Sequence, residues 1–244
     1  MTALDDSGVR LAEAAAQAGL DAPVPTCPGW TVQDLLDHTG GVHRWATAYV
    51  ATGKTEPFTD EEKAEFFSAP AGETLIDWFR DGHAALVRTL READPALECW
   101  AFLRAPSPLA FWARRQAHET TIHRVDAESA AGKITPIDPV LAADGVDELF
   151  DGFFARPRGR LVADPPVSLA VRATDQPAAW TIRVEPEGRT IAPGVRDDAD
   201  CVVSGPATGL YLLLWNRVDA DGLDVHGDRD VLALWREKAR VVWG

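Results

Sequence analysis

Cysteine, lysine, methionine and long apolar runs are scarce in these 244 residues, and each scarcity closes off a class of protein. Cys27, Cys99 and Cys201 are odd in number and far apart, so they form neither a disulfide framework nor a cysteine-rich zinc site. Reduced thiols are expected. Four lysines stand against twenty arginines, and the net charge is −14. A chain so acidic is a poor match for a phosphate backbone, so no nucleic-acid partner is expected. No run approaches the roughly 20 apolar residues that span a bilayer, and no membrane partner is expected either. The acidic, amphipathic start lacks the basic and apolar regions of a signal peptide, which points to the cytoplasm. There is no Gly-x-Gly-x-x-Gly, phosphate-binding loop or Gly-x-Ser-x-Gly elbow. The acidic "DADGLDVHGD" lacks the register of a calcium loop.

What is present is ordinary globular composition, 46% apolar and 25% charged, in a chain long enough for two modest domains. Up to about residue 133 the apolar residues recur at helical spacing. The spacing predicts helices over 4–18, from Thr31 through Tyr49, over 72–92 and over 107–132. Thr31 is a candidate N-cap, with Asp34 three residues later completing a box-like start. Gly40-Gly41 inside the second helix is costly unless close packing or a bend requires it. Residues 53–72 leave room for a short helix or a lid. Beyond residue 138 the pattern changes to a helix over 140–155, alternating strands over 167–173, 179–186, 189–194 and 200–205, and helices over 206–217 and 228–241. The expected fold is therefore two domains. Residues 1–134 form an all-α four-helix bundle, and 135–244 an α+β domain with a curved, mainly antiparallel sheet.

The stretch "HETTIH", 118–123, misses the zinc-protease motif His-Glu-x-x-His by one residue. His118 and His123 lie about 140° apart around a helix and cannot share an ion. Glu119 and His123, four apart, lie about 40° apart and can. A further ligand must come from elsewhere, with His38, His43, His83 and His226, or the carboxylates Asp34 and Asp37, as candidates. His38 sits in mid-helix beside the glycine pair. Two histidines and a glutamate from two helices match catalytic zinc chemistry. The bland alternative is a pair of half-buried histidines with backbone partners and a solvated glutamate. Cys27 reads as a buried structural thiol and the tryptophans as core.

"VPTCPGWTVQDLLDHTGGVHRWA" and "RRQAHETTIHRVDAE" together resemble the mycothiol-dependent maleylpyruvate isomerase family, among the DinB-like metal-binding four-helix proteins. "IDPVLAADGVDELF" and "LLLWNRVDADGLDVHGD" resemble that family's C-terminal domain, which is similar in fold to sterol-carrier proteins, so nearly the whole chain is covered. The resemblance implies His38, Glu119 and His123 as ligands of zinc or another divalent metal, and mycothiol, an actinobacterial sugar thiol, as cosubstrate. The implied reaction is S-transfer to an electrophile or cis–trans isomerisation through a thiol adduct. The implied substrate is a small electrophile or unsaturated carboxylate. An arginine of the C-terminal domain would hold the carboxylate. Arg217 matches by position, although Trp-Asn precedes it where a small residue is expected, and Arg229 is the fallback. Asp34 and Asp126 are within helical reach of His38 and His123 and could orient their rings. Two rival readings use the same residues: a non-catalytic small-ligand carrier with a structural metal, and a metal-dependent hydrolase or iron enzyme.

Overall fold

Thr31 and Asp34 begin a helix in the computed structural model of the chain, which describes residues 1–72, 74–156, 160–196 and 198–241. The Thr31 side chain accepts from the Asp34 amide, and the Asp34 carboxylate accepts from the Thr31 amide at 2.8 Å. Two amides that a helix start leaves without partners are thus satisfied. This helix, α2, runs over Val32–Thr52 and stops at Gly53, whose φ of 66° suits a residue without Cβ. Its neighbours are α1 (Thr2–Ala18), α3 (Asp60–Phe66), α4 (Thr74–Glu92) and α5 (Pro108–Ala130). α1 packs against α5 and α4, and α2 against α4 and α5, so the four long helices form a bundle. α3 occupies the connection between α2 and α4 and buries none of its residues. All five helices belong to one unit, Met1–Thr135.

Two apolar clusters fill the bundle at different levels. One gathers Leu4, Tyr49, Leu86 and Trp112, the other Leu11, Leu35, Phe79 and Ala127. α5 runs through both, and every residue from Arg115 to Glu128 is buried. This enclosed helix is not the amphipathic one that periodicity predicts. Several of its polar side chains find partners inside the bundle: Thr121 with Ser7 at 3.1 Å, Thr120 with His43 at 2.9 Å, and Glu119 with Arg115 at 2.8 Å. Left unpaired, each such group would cost about 1–3 kcal/mol.

The glycine pair in α2 is explained by close packing. A Cβ on Gly40 would lie 2.2 Å from the Trp78 ring, and one on Gly41 2.3 Å from the Phe67 ring. Trp78 is itself pinned. The Arg44 guanidinium lies 3.6 Å from its ring centroid, and Arg44 Nη2 donates to its carbonyl at 2.7 Å.

The second unit, Pro136–Gly244, opens with α6 (Pro139–Asp147), which passes into a π-helical stretch, Glu148–Phe154, within the single helix predicted there. Five strands follow: β1 (Val167–Ala173), β2 (Ala179–Glu185), β3 (Gly188–Pro193), β4 (Cys201–Gly205) and β5 (Asp224–Gly227). Their order is β3-β2-β1-β4-β5. Only β1 and β4 pair in parallel, so the sheet is mixed and mostly antiparallel. α7 (Ala207–Leu214) and α8 (Arg229–Lys238) pack against β1 and β4. Trp235 of α8 meets Phe150 and Phe154 of the π-helical stretch at 5.4 and 4.9 Å. β5 escapes the sequence reading because "DVHG" has neither the length nor the β-branched content of a strand. Among the described residues no helix is long and apolar enough to cross a membrane.

Gly40→Ala tests the packing argument. A helical glycine-to-alanine change gains about 1 kcal/mol of propensity, whereas overpacking a pinned ring costs about 1–3 kcal/mol. A lower midpoint of urea unfolding is expected. A raised midpoint would show that Trp78 yields freely.

Candidate metal centre

α2 and α5 bring His38, Glu119 and His123 together, with one donor atom from each within 4.8 Å of the others. Glu119 Oε1 lies 3.3 Å from His38 Nε2 and 3.2 Å from His123 Nε2. The remaining polar atoms of the two α5 residues are engaged elsewhere. Arg115, one turn earlier on α5, donates to Glu119 Oε2 at 2.8 Å, and both side chains are almost wholly buried. His123 Nδ1 lies 2.9 Å from Asp126 Oδ2. Asp126 is held in turn by the Thr26 hydroxyl, which donates to Oδ1 at 2.6 Å, and by the Cys27 thiol, 3.3 Å from Oδ2. The chain therefore runs from the loop before α2, through a carboxylate, to the far side of an imidazole. Such an arrangement fixes the His123 ring and leaves Nε2 to face Glu119 and His38.

The electrostatics follow from this wiring. Burial alone would raise the Glu119 carboxyl, but hydrogen bonds to His123 and His38 and the Arg115 charge hold it well below the usual range. Burial alone would lower His123, yet its contacts with Asp126 and Glu119 push it up to about 9. Both shifts favour the charged pair, an imidazolium facing a carboxylate. The donor set, two imidazole nitrogens and one carboxylate oxygen on a common point, fits a divalent cation such as zinc.

The other candidates are placed elsewhere. His118 is fully buried on α5 and outside the triad. His43 is buried against Thr120 and Phe79, and burial followed by the neighbouring His83 keeps it neutral. His83 Nε2 meets the Asp5 carbonyl at 3.2 Å. Asp34 is exposed and its Oδ2 accepts from Thr31, so it serves the helix start, and among the described residues it has no hydrogen bond to His38. Asp37 is half-buried, and burial raises its carboxyl. His226 is exposed on β5. Arg217 lies in the second unit just past α7, half-buried, its Nη1 donating to the Trp215 carbonyl at 2.8 Å. Arg229 is the first residue of α8.

Four contributors escape the sequence reading. Cys27 is half-buried beside an apolar cluster, as a structural thiol would be, but its sulfur also lies 3.3 Å from Asp126 Oδ2. Trp30 touches the lower apolar cluster, but its ring also lies edge-on to His38 at 5.2 Å and stacked on His123 at 6.4 Å. Thr26 gave no signal, because its partner is a hundred residues away. Arg115 did carry one, its spacing of four from Glu119.

Comparison with known proteins places these residues in context. Residues 1–128 match the family described as "Mycothiol maleylpyruvate isomerase N-terminal domain", and residues 140–234 match its C-terminal domain. Two crystal structures, of a mycothiol-dependent maleylpyruvate isomerase and a point mutant of it, align at TM-scores of 0.63 and 0.64. Each is 17% identical, over 92% of this chain and 90% of that one, a likeness of fold. No match was found among curated proteins.

Asp126→Asn tests the support of His123. Loss of such a partner weakens metal binding by about 10–100-fold, and competition of zinc-loaded protein against a chromophoric chelator measures it. Unchanged affinity would reduce Asp126 to a packing role.

Proposed function

We propose that this chain, which belongs to the mycothiol maleylpyruvate isomerase family, is a metal- and mycothiol-dependent enzyme acting on a small electrophile or unsaturated carboxylate. The observation that carries the reading is the convergence of His38 Nε2, Glu119 Oε1 and His123 Nε2 within 4.8 Å, with Glu119 Oε2 and His123 Nδ1 already engaged by Arg115 and Asp126. Three protein donors leave coordination positions open, as in catalytic zinc sites and unlike closed structural ones. A divalent cation held there would lower the pKa of a coordinating thiol and so supply thiolate at neutral pH.

The chain's own residues set up this chemistry. His38, Glu119 and His123 hold the cation. Arg115 neutralises the second carboxylate oxygen, and Asp126 keeps His123 Nδ1 protonated, so that Nε2 is the free lone pair. The thiolate of mycothiol is the nucleophile. Adding to an activated double bond, it permits rotation about the new single bond and then leaves, which is isomerisation. Displacing a leaving group, it stays attached, which is transfer. Both begin with the same attack, so one site serves either outcome. Arg217 is assigned to the substrate carboxylate, since its planar fork suits bidentate pairing.

The test is metal content followed by thiol dependence. Purified protein is expected to hold about one zinc per chain, with a site of affinity lost in His38→Ala. Turnover across a panel of electrophiles is expected with mycothiol and not with glutathione or without thiol. Wild-type protein without metal, or with the same metal content as His38→Ala, would leave a ligand-binding module. Turnover independent of thiol would make the site hydrolytic.

A further inference from the structure

The candidate metal centre is closed on most sides. Glu119 and His123 are buried, their side chains 5% and 10% exposed, and the His38 side chain keeps the most exposure of the three, 20%. A ligand therefore reaches the three donors past His38. Trp30 flanks that ring at 5.2 Å, and Phe67 lies tilted against it at 6.5 Å. Trp30 is anchored in an apolar cluster of the bundle, but Phe67 belongs to neither cluster and is 37% exposed. It caps α3, a helix with no buried residue. The start of this segment is tied down, with the Phe58 amide donating to the Tyr49 hydroxyl at 2.8 Å and Phe58 against the Tyr49 ring at 4.5 Å. Its far end is seated by Phe67 in the notch that Gly41 leaves, where any Cβ would fall 2.3 Å from the ring.

Phe67 stands beside His38, the least buried of the three ligands, and so affects what can approach. We infer that Phe67, seated by Gly41, is a specificity-determining residue: it narrows access to the open coordination positions, so the site takes slender or planar ligands and refuses branched, bulky ones. This rests on the metal reading above. The refusal is steric, and because Phe67 follows a short helix with no buried residue it is adjustable without disturbing the bundle core.

Two metal-seeking probes with the same head group test it on zinc-loaded protein: acetohydroxamate and adamantane-1-carbohydroxamate, with affinities measured by calorimetry. Wild type is expected to bind the small probe and to bind the adamantyl probe poorly. Phe67→Ala is expected to gain about tenfold or more for the adamantyl probe while acetohydroxamate stays within about twofold, the range of steric discrimination in a pocket. Gly41→Ala, whose methyl takes the place of the ring, is expected to behave the same way. An unchanged ratio between the probes in either variant overturns the inference. So does a wild type that accepts both probes equally, and in these cases the metal reading survives. Wild-type protein that takes up no zinc overturns both.

Discussion

A single buried carboxylate organises the N-terminal unit. Glu119 sits in the middle of a helix enclosed on every side, where an unpaired charge would be untenable. One of its oxygens is matched by Arg115 and the other faces two imidazoles. Neither interaction is free of cost, because Arg115 and His123 are themselves largely desolvated, and breaking a buried pair costs about 3–5 kcal/mol. The bundle accommodates the polar stretch by surrounding it with apolar clusters and by supplying partners from α1, α2 and the loop before α2. The same enclosure that makes the carboxylate expensive also makes its donor oxygen well aimed.

Much of this was legible in the sequence, for reasons that differ residue by residue. Glu119 and His123 share a helix face at their spacing whatever surrounds them, so helical phase alone picked them out. Choosing His38 from four other histidines is a tertiary question, and only the motif "DLLDHTGG" and its resemblance to a known family pointed there. Asp34 shows two local rules competing for one carboxylate. Its place three residues after Thr31 turns Oδ2 to the helix start, where it accepts from the Thr31 amide and hydroxyl. Asp126 makes the contact that its spacing from His123 allows.

What stayed hidden was hidden for physical reasons. Thr26, Cys27 and Trp30 act through contacts with residues about a hundred positions away or across the bundle, which no local pattern encodes. α5 is buried all round, so its apolar residues mark no face, and periodicity overstates its amphipathic character. The glycine pair was recognisably anomalous, but only the positions of Trp78 and Phe67 show that it makes room for rings. In the second unit the strands with alternating branched residues were readable, whereas β5 forms because β4 offers it an edge to pair with.

The central claim is that His38, Glu119 and His123 close on one cation at a point set by Arg115 and Asp126. Anomalous diffraction at the zinc edge from crystals of the zinc-loaded protein tests it most directly. One strong peak is expected at about 2.0–2.2 Å from His38 Nε2, Glu119 Oε1 and His123 Nε2, with room for at least one further ligand. A zinc peak elsewhere, or one lacking any of those three atoms, would contradict it.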